Sequence, residues 1–270
     1  VGTDTCSTPP PYTAAHERYR RRIDPDRRGG HRRGHQRVHA QPGHLREESR
    51  AGYPDPFAAY FAGRGGVLGD ATGTTVTAVF AVFEPNLARA CWENGVAVHP
   101  ASESCRLYWD QLAEFGRTYL AGAEGLERIA ELGEKVIADA PEPGLPLYAG
   151  WRAMPLADDA PARALQVMMV LRELRAAVHF NALTISGLSP VEAHILNHGT
   201  DYAAFMGWQP PFADAAGKKD VYDQVEDLTN RRMAQIYHSA LTAAEADELA
   251  RLSVAALAAL KASAPAPVGA

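Results

Sequence analysis

"ARALQVMMVLRELRAAVHFNALTISG", residues 162–187, is the stretch whose reading decides the fold. It holds no Pro and closes on Gly, so it predicts one long helix from Ala162 to Ser186 ended by Gly187. At about 100° per residue, Val167, Leu171, Leu174, Val178 and Ile185 share one face. Arg172, Arg175 and His179 share the opposite face, flanked by Met168 and Leu183. Two cations and an imidazole therefore lie in one stripe. If the stripe meets water, it is an ordinary solvated or ion-paired face. If it meets the rest of the protein, a carboxylate or a bound anion has to neutralise it, because an unpaired buried charge is too costly to keep.

Outward from this helix the chain reads as further helices, and the fold class it predicts is all-α, a multi-helix bundle of two helical halves. Asp55-Pro56 is an N-cap acid followed by Pro in the first turn, leading into "FAAYFAGRGGVLG", whose glycines are expected to end that helix. "TTVTAVFAVF" (Thr74–Phe83) is read as a helix, although its β-branched residues would also suit a buried strand. Helices follow at Glu84–Asn94, Pro100–Ala121 and Ala123–Ala138, the last with Leu126, Ile129, Leu132, Val136 and Ile137 on one face. Residues 141–161 are rich in Pro and Gly and are expected to connect the halves, 53–140 and 162–263, without a helix crossing them. Ser189 and Glu192 have capping-box spacing, as do Thr242 and Glu245, and the closing helices are placed at Lys219–Ser239 and Thr242–Ala262. Residues 264–270 read as a tail.

Composition excludes several functions. With 46% hydrophobic residues the chain can bury a core without staples. Cysteine occurs only at Cys6, Cys91 and Cys105, with no CxxC pair, which points to a reducing cytoplasm rather than a disulfide or zinc framework. No apolar run is long enough for a membrane span, and no signal-type segment is expected. Residues 1–50 carry a balance of +5 and residues 51–270 one of −10. A body that acidic repels a phosphate backbone, so nucleic acid is not an expected partner of it.

The basic arm, residues 1–52, could in principle supply that attraction. Between His16 and Arg50 it has 11 Arg, 5 His and no Lys. The same composition arises when a GC-rich gene is read one base out of frame, and residues 24–47 are read here as such a segment, so the arm is not counted as a nucleic-acid element.

Three local motifs fall short of a mechanism. His194 and His198 stand at i and i+4, but Ile195 occupies the position where a zincin needs Glu, so they read as ordinary surface histidines and no metal is expected. "GLSPVEAHIL" (Gly187–Leu196) has the form of a helix-turn-helix corner, yet Pro190, Val191 and Glu192 stand where base-reading side chains belong. "GRGGVLG" (Gly63–Gly69) lacks the Lys-Ser/Thr of a phosphate loop, and Arg64 is its one anion-binding candidate.

"AAYFAGRGGVLG", "GLPLYAGWRAMP", "LRELRAAVHFNAL" and "VEDLTNRRMAQIYHSALTAAEADEL", in this order over residues 53–262, resemble an actinobacterial family of helix-turn-helix-related proteins. The resemblance implies a helical N-terminal region and, in typical members, a winged-helix-like C-terminal part. Between Gly207-Trp208 and Glu226-Asp227-Leu228-Thr229 this chain has too few residues for a recognition helix and a wing. What the resemblance shares is the Arg172, Arg175 and His179 stripe together with Tyr60, Arg64 and Arg152. Gathered into one site, these six would bind a small anionic ligand between helices, such as a carboxylic acid or acyl derivative, without cofactor. A DNA-binding regulator and an enzyme using His179 as general base are the competing readings, and a second copy of the chain is the other expected partner.

Overall fold

The computed structural model describes residues 52–263 as an all-α fold, with no strand among the described residues. Wing-type strands, expected to be reduced or absent, do not occur among them. In chain order the helices are α1 (Pro56–Gly65), α2 (Gly73–Phe80), α3 (Pro85–Val96), α4 (Ala101–Leu120), α5 (Leu126–Asp139), α6 (Pro146–Arg152), α7 (Ala160–Ser186), α8 (Pro190–His198), α9 (Thr200–Phe205), α10 (Lys219–Ala240) and α11 (Ala243–Ser263). The proposed out-of-frame segment, residues 24–47, and the tail lie outside the described residues.

The caps sit where the sequence puts them. Asp55 accepts from the backbone N–H of Phe57 and Ala58 at 2.8 and 2.9 Å, starting α1. Ser189 and Glu192 close a reciprocal capping box at α8, and Thr242 and Glu245 form the same contacts at α11. Gly187 ends α7 with φ 71°, a left-handed value that a residue with a Cβ tolerates poorly.

Two expectations need correction. The helix placed at Thr74–Phe83 stops at Phe80, because Ala81 takes φ 39° and turns the chain before Phe83. The connection at 141–161 contains α6, whose Tyr148 and Trp151 are fully buried; Pro146 stands at its first position, where a missing N–H costs nothing. The glycines end α1 as expected, at Gly65 with Gly66 as its C-cap, while Gly63 is still helical and lets α1 approach α4, since a Cβ there would lie 2.8 Å from Tyr108 Cδ2.

Helix α7 is the axis of the molecule. It packs on α4, α5, α6 and α10, and one hydrophobic core runs from Phe61 to Ala256 around it. A helix contacted on so many sides cannot keep a single apolar face. Val167, Leu171 and Leu174 are buried as expected, but Ile185 is 81% exposed because the last turn of α7 overhangs the core.

Candidate functional site

Helices α1 and α7 cross so that Arg64 meets Glu173. Both are buried, at 2% and 0% exposure. Arg64 Nε donates to Glu173 Oε1 at 2.9 Å and Nη2 to Oε2 at 2.8 Å, a two-pronged pair of the strongest kind. The guanidinium lies 4.7 Å from the centre of the Phe80 ring, and the backbone carbonyl of Arg64 accepts from Trp151 Nε1. Burial alone would push the Glu173 carboxyl up, but Arg64 and then Arg172 more than reverse this and hold it below the usual carboxylate range.

Arg172 is the second cation on that carboxylate. Its Nη1 donates to Glu173 Oε1 from the neighbouring position of α7. Among the described residues Glu173 is the one acid it pairs with, so two guanidinium groups share a single carboxylate and one positive charge is left over. The Arg172 side chain remains 52% exposed. Desolvation by the surrounding protein is nonetheless the largest influence on its ionisation, with Glu173 acting against it.

Tyr60 lies beside it. Its hydroxyl accepts from Arg64 Nη1 at 3.0 Å, so its own proton has to point elsewhere, and no described residue accepts it. Tyr108 and Tyr202 are also within electrostatic reach of Arg172, and burial raises the pKa of both hydroxyls, keeping them protonated. Arg172 thus offers guanidinium N–H groups and Tyr60 a phenol O–H, donors suited to an anion.

Of the other expected members, His179 and Arg175 lie further along α7 and turn to α10. Thr229 Oγ1 donates to the Val225 carbonyl at 2.8 Å, so His179 Nδ1, 3.2 Å from Thr229 Oγ1, is the donor in that contact. This puts a proton on Nδ1. Glu226 Oε1 lies 3.7 Å from the same nitrogen, and Glu226 Oε2 accepts from Arg175 Nη2 at 3.0 Å. Arg152 is not brought in. Its Nη1 donates to the Ala140 carbonyl at the end of α5 and pairs with Glu142 at 3.1 Å.

Of the two histidines on α8, His198 is half-buried and His194 is not a surface residue. His194 is buried on α8 and its Nε2 donates to the Val82 carbonyl at 2.8 Å, an oxygen that also accepts from Trp208 Nε1. One face of α8 is turned inward: Glu192, Ala193 and His194 are buried, Asn197 is exposed, and the remaining side chains are half-buried. Among the described residues no three His, Cys, Asp or Glu side chains converge to hold a metal ion, and no helix is long and apolar enough to cross a membrane.

Sequence reasoning missed Glu173, the centre of the site. The signal was present: Gln166, Val170, Glu173 and Ala177 follow one another at helical spacing, and all four are buried. An acid in such a stripe demands a cationic partner from another element.

A helix-turn-helix family matches residues 33–219, more than two thirds of the chain. No curated protein and no solved structure matches it.

Proposed function

The chain belongs to this helix-turn-helix family, and from that premise we propose that it uses its helical frame to hold a small monoanion, a carboxylic acid, in a recess at Arg172 rather than to read DNA. The observation that carries this reading is the two-to-one ratio of guanidinium groups to carboxylate, with the surplus cation accessible. A carboxylate would take Arg172 N–H and the Tyr60 O–H, and its single charge would cancel the surplus one. A dianion such as phosphate would overshoot.

Family membership favours DNA binding as the second reading, and the turn at Gly187 followed by α8 is the element that would do it. Against it stand the inward packing of α8, its lack of Arg and Lys, and the acidic body. A recognition helix has to leave the surface and enter a groove. Gel shifts with random and GC-rich duplexes should show no retained complex at physiological salt.

The anion reading is tested by thermal denaturation against a panel of small monocarboxylates. At least one acid should raise the midpoint in a saturating manner, and Arg172→Ala should abolish the rise without losing helicity. No rise with any acid would overturn the proposal.

A further inference from the structure

We infer that a second binding site lies between α7, α10 and the turn at 141–145, and that it takes an amphiphile with one aliphatic chain and an anionic head, a carboxylate or a phosphate monoester. It goes beyond the anion site at Arg172 and shares no residue with it. A cavity of about 340 Å³ opens there, at the lower end of the range for small-molecule sites. Ala182 and Ile185 stand three residues apart on α7, and Leu228 stands three and four residues before Arg231 and Arg232 on α10, so each helix turns one face to the gap. Leu145, Ala182 and Ile236 are buried and form an apolar floor, while Ile185, 81% exposed, and Leu228, 43% exposed, stand open at the lip. The third side is held in place by backbone. Leu145 N–H donates to the Glu142 carbonyl at 2.9 Å, closing a turn with Pro143 and Gly144 at its centre, and Gly144 takes the positive φ, 77°, that such a turn asks of its third residue. Asn181 Nδ2 on α7 donates to the Gly144 carbonyl at 3.2 Å, fixing the turn to the helix.

Charge decides the head group. Arg163, Arg172 and Arg175 each pair with a carboxylate, and the acid of the turn, Glu142, is taken by Arg152 at 3.1 Å. Arg231 and Arg232 line the cavity and no acid does. Among the described residues neither of these two has a carboxylate partner, and Arg232 donates to the neutral Gln235 Oε1 at 3.2 Å. From residue 51 onward the chain carries a balance of −10, so two adjacent cations without a counter-charge are out of keeping with their surroundings. Guanidinium groups suit carboxylate and phosphate oxygens, and the floor below them suits an alkyl chain. The volume matches one chain rather than the two of a bilayer lipid.

The experiment is calorimetric titration of the full chain with hexanoate, octanoate, hexyl phosphate, octyl phosphate and octylammonium. Octanoate or octyl phosphate should bind in a saturating manner, the tighter of the two identifying the head, and in that series the two extra CH₂ groups should tighten binding about tenfold. Reversing both charges, Arg231→Glu with Arg232→Glu, should weaken the octyl compound by about tenfold or more, and Ile185→Glu should weaken it as well. All three positions are exposed, so these changes spare the core. Binding that ignores chain length, that octylammonium matches, or that persists unchanged in both variants would overturn the inference. So would the lack of saturable heat from every alkyl acid and phosphate. The Arg172 site is judged separately, by the loss of binding in Arg172→Ala.

Discussion

Glu173 answers two guanidinium groups, and that ratio fixes what single substitutions should do. Glu173→Ala leaves Arg64 buried without a counter-charge, a loss of about 3–5 kcal/mol in urea denaturation, because breaking a buried pair strands the remaining charge. Arg172→Ala removes the half-exposed partner and leaves Arg64 and Glu173 paired two ways, so its effect on stability should stay below about 1 kcal/mol while anion binding is lost. Tyr60→Phe separates the two roles of that hydroxyl. It deletes one acceptor for Arg64 and the proton offered to the ligand, and should cost about 1 kcal/mol of stability and roughly fivefold to tenfold in acid affinity, read by calorimetry. Of these residues, Tyr60, Arg64 and Arg172 were legible from the sequence as residue types suited to an anion, but their grouping rested on a resemblance and not on spacing. Arg152 was drawn into the same group on those grounds. Its guanidinium instead satisfies the carbonyls ending α5, a local use that no pattern in "GWRAMP" betrays.

At the level of elements, the turn between α2 and α3 links the recess to α8. Ala81 holds φ 39°, which aims the Val82 carbonyl at His194 and Trp208 and carries Phe83 into the aromatic cluster. Burial is the main reason the His194 imidazole is held below its ordinary pKa, with His198 and His179 adding to it and the Val82 contact opposing. The unfolded chain therefore binds this proton more readily than the folded one. Stability should be flat on this account above about pH 6.5, and should fall as pH drops from there through the lowered folded value. His194→Gln keeps an N–H donor for Val82 and removes the titration, so the slope in that window should shrink in urea melts taken pH by pH. An undiminished slope would assign it to other groups. Helix identities and starts were readable because caps are local chemistry: Asp55, Ser189 and Thr242 each bind backbone within three residues. Helix α6 and the early end of α2 were not, since a seven-residue helix holds its shape by burying Tyr148 and Trp151 and Ala81 bends under tertiary contacts.

Across the whole molecule, α7 decides both the fold and the site. A helix surrounded by α4, α5, α6 and α10 can place a carboxylate where water does not reach, and only there do two arginines have to share it. The wheel drawn from its sequence divided it into an apolar and a cationic face, which is the correct division for a helix with one neighbour. Surrounded in this way, the cationic stripe splits, Arg172 turning to the Glu173–Arg64 pair, Arg175 and His179 to α10. The central claim is that the surplus charge on Arg172 binds an anion. Side-chain NMR of the ¹⁵N-arginine-labelled chain, titrated with benzoate and assigned by Arg172→Lys, tests it most directly. The Arg172 guanidinium resonances should shift and saturate while those of Arg163 and Arg175, ion-paired at the surface, stay in place. If the Arg172 signals do not move, or all three drift together without saturating, the account is wrong.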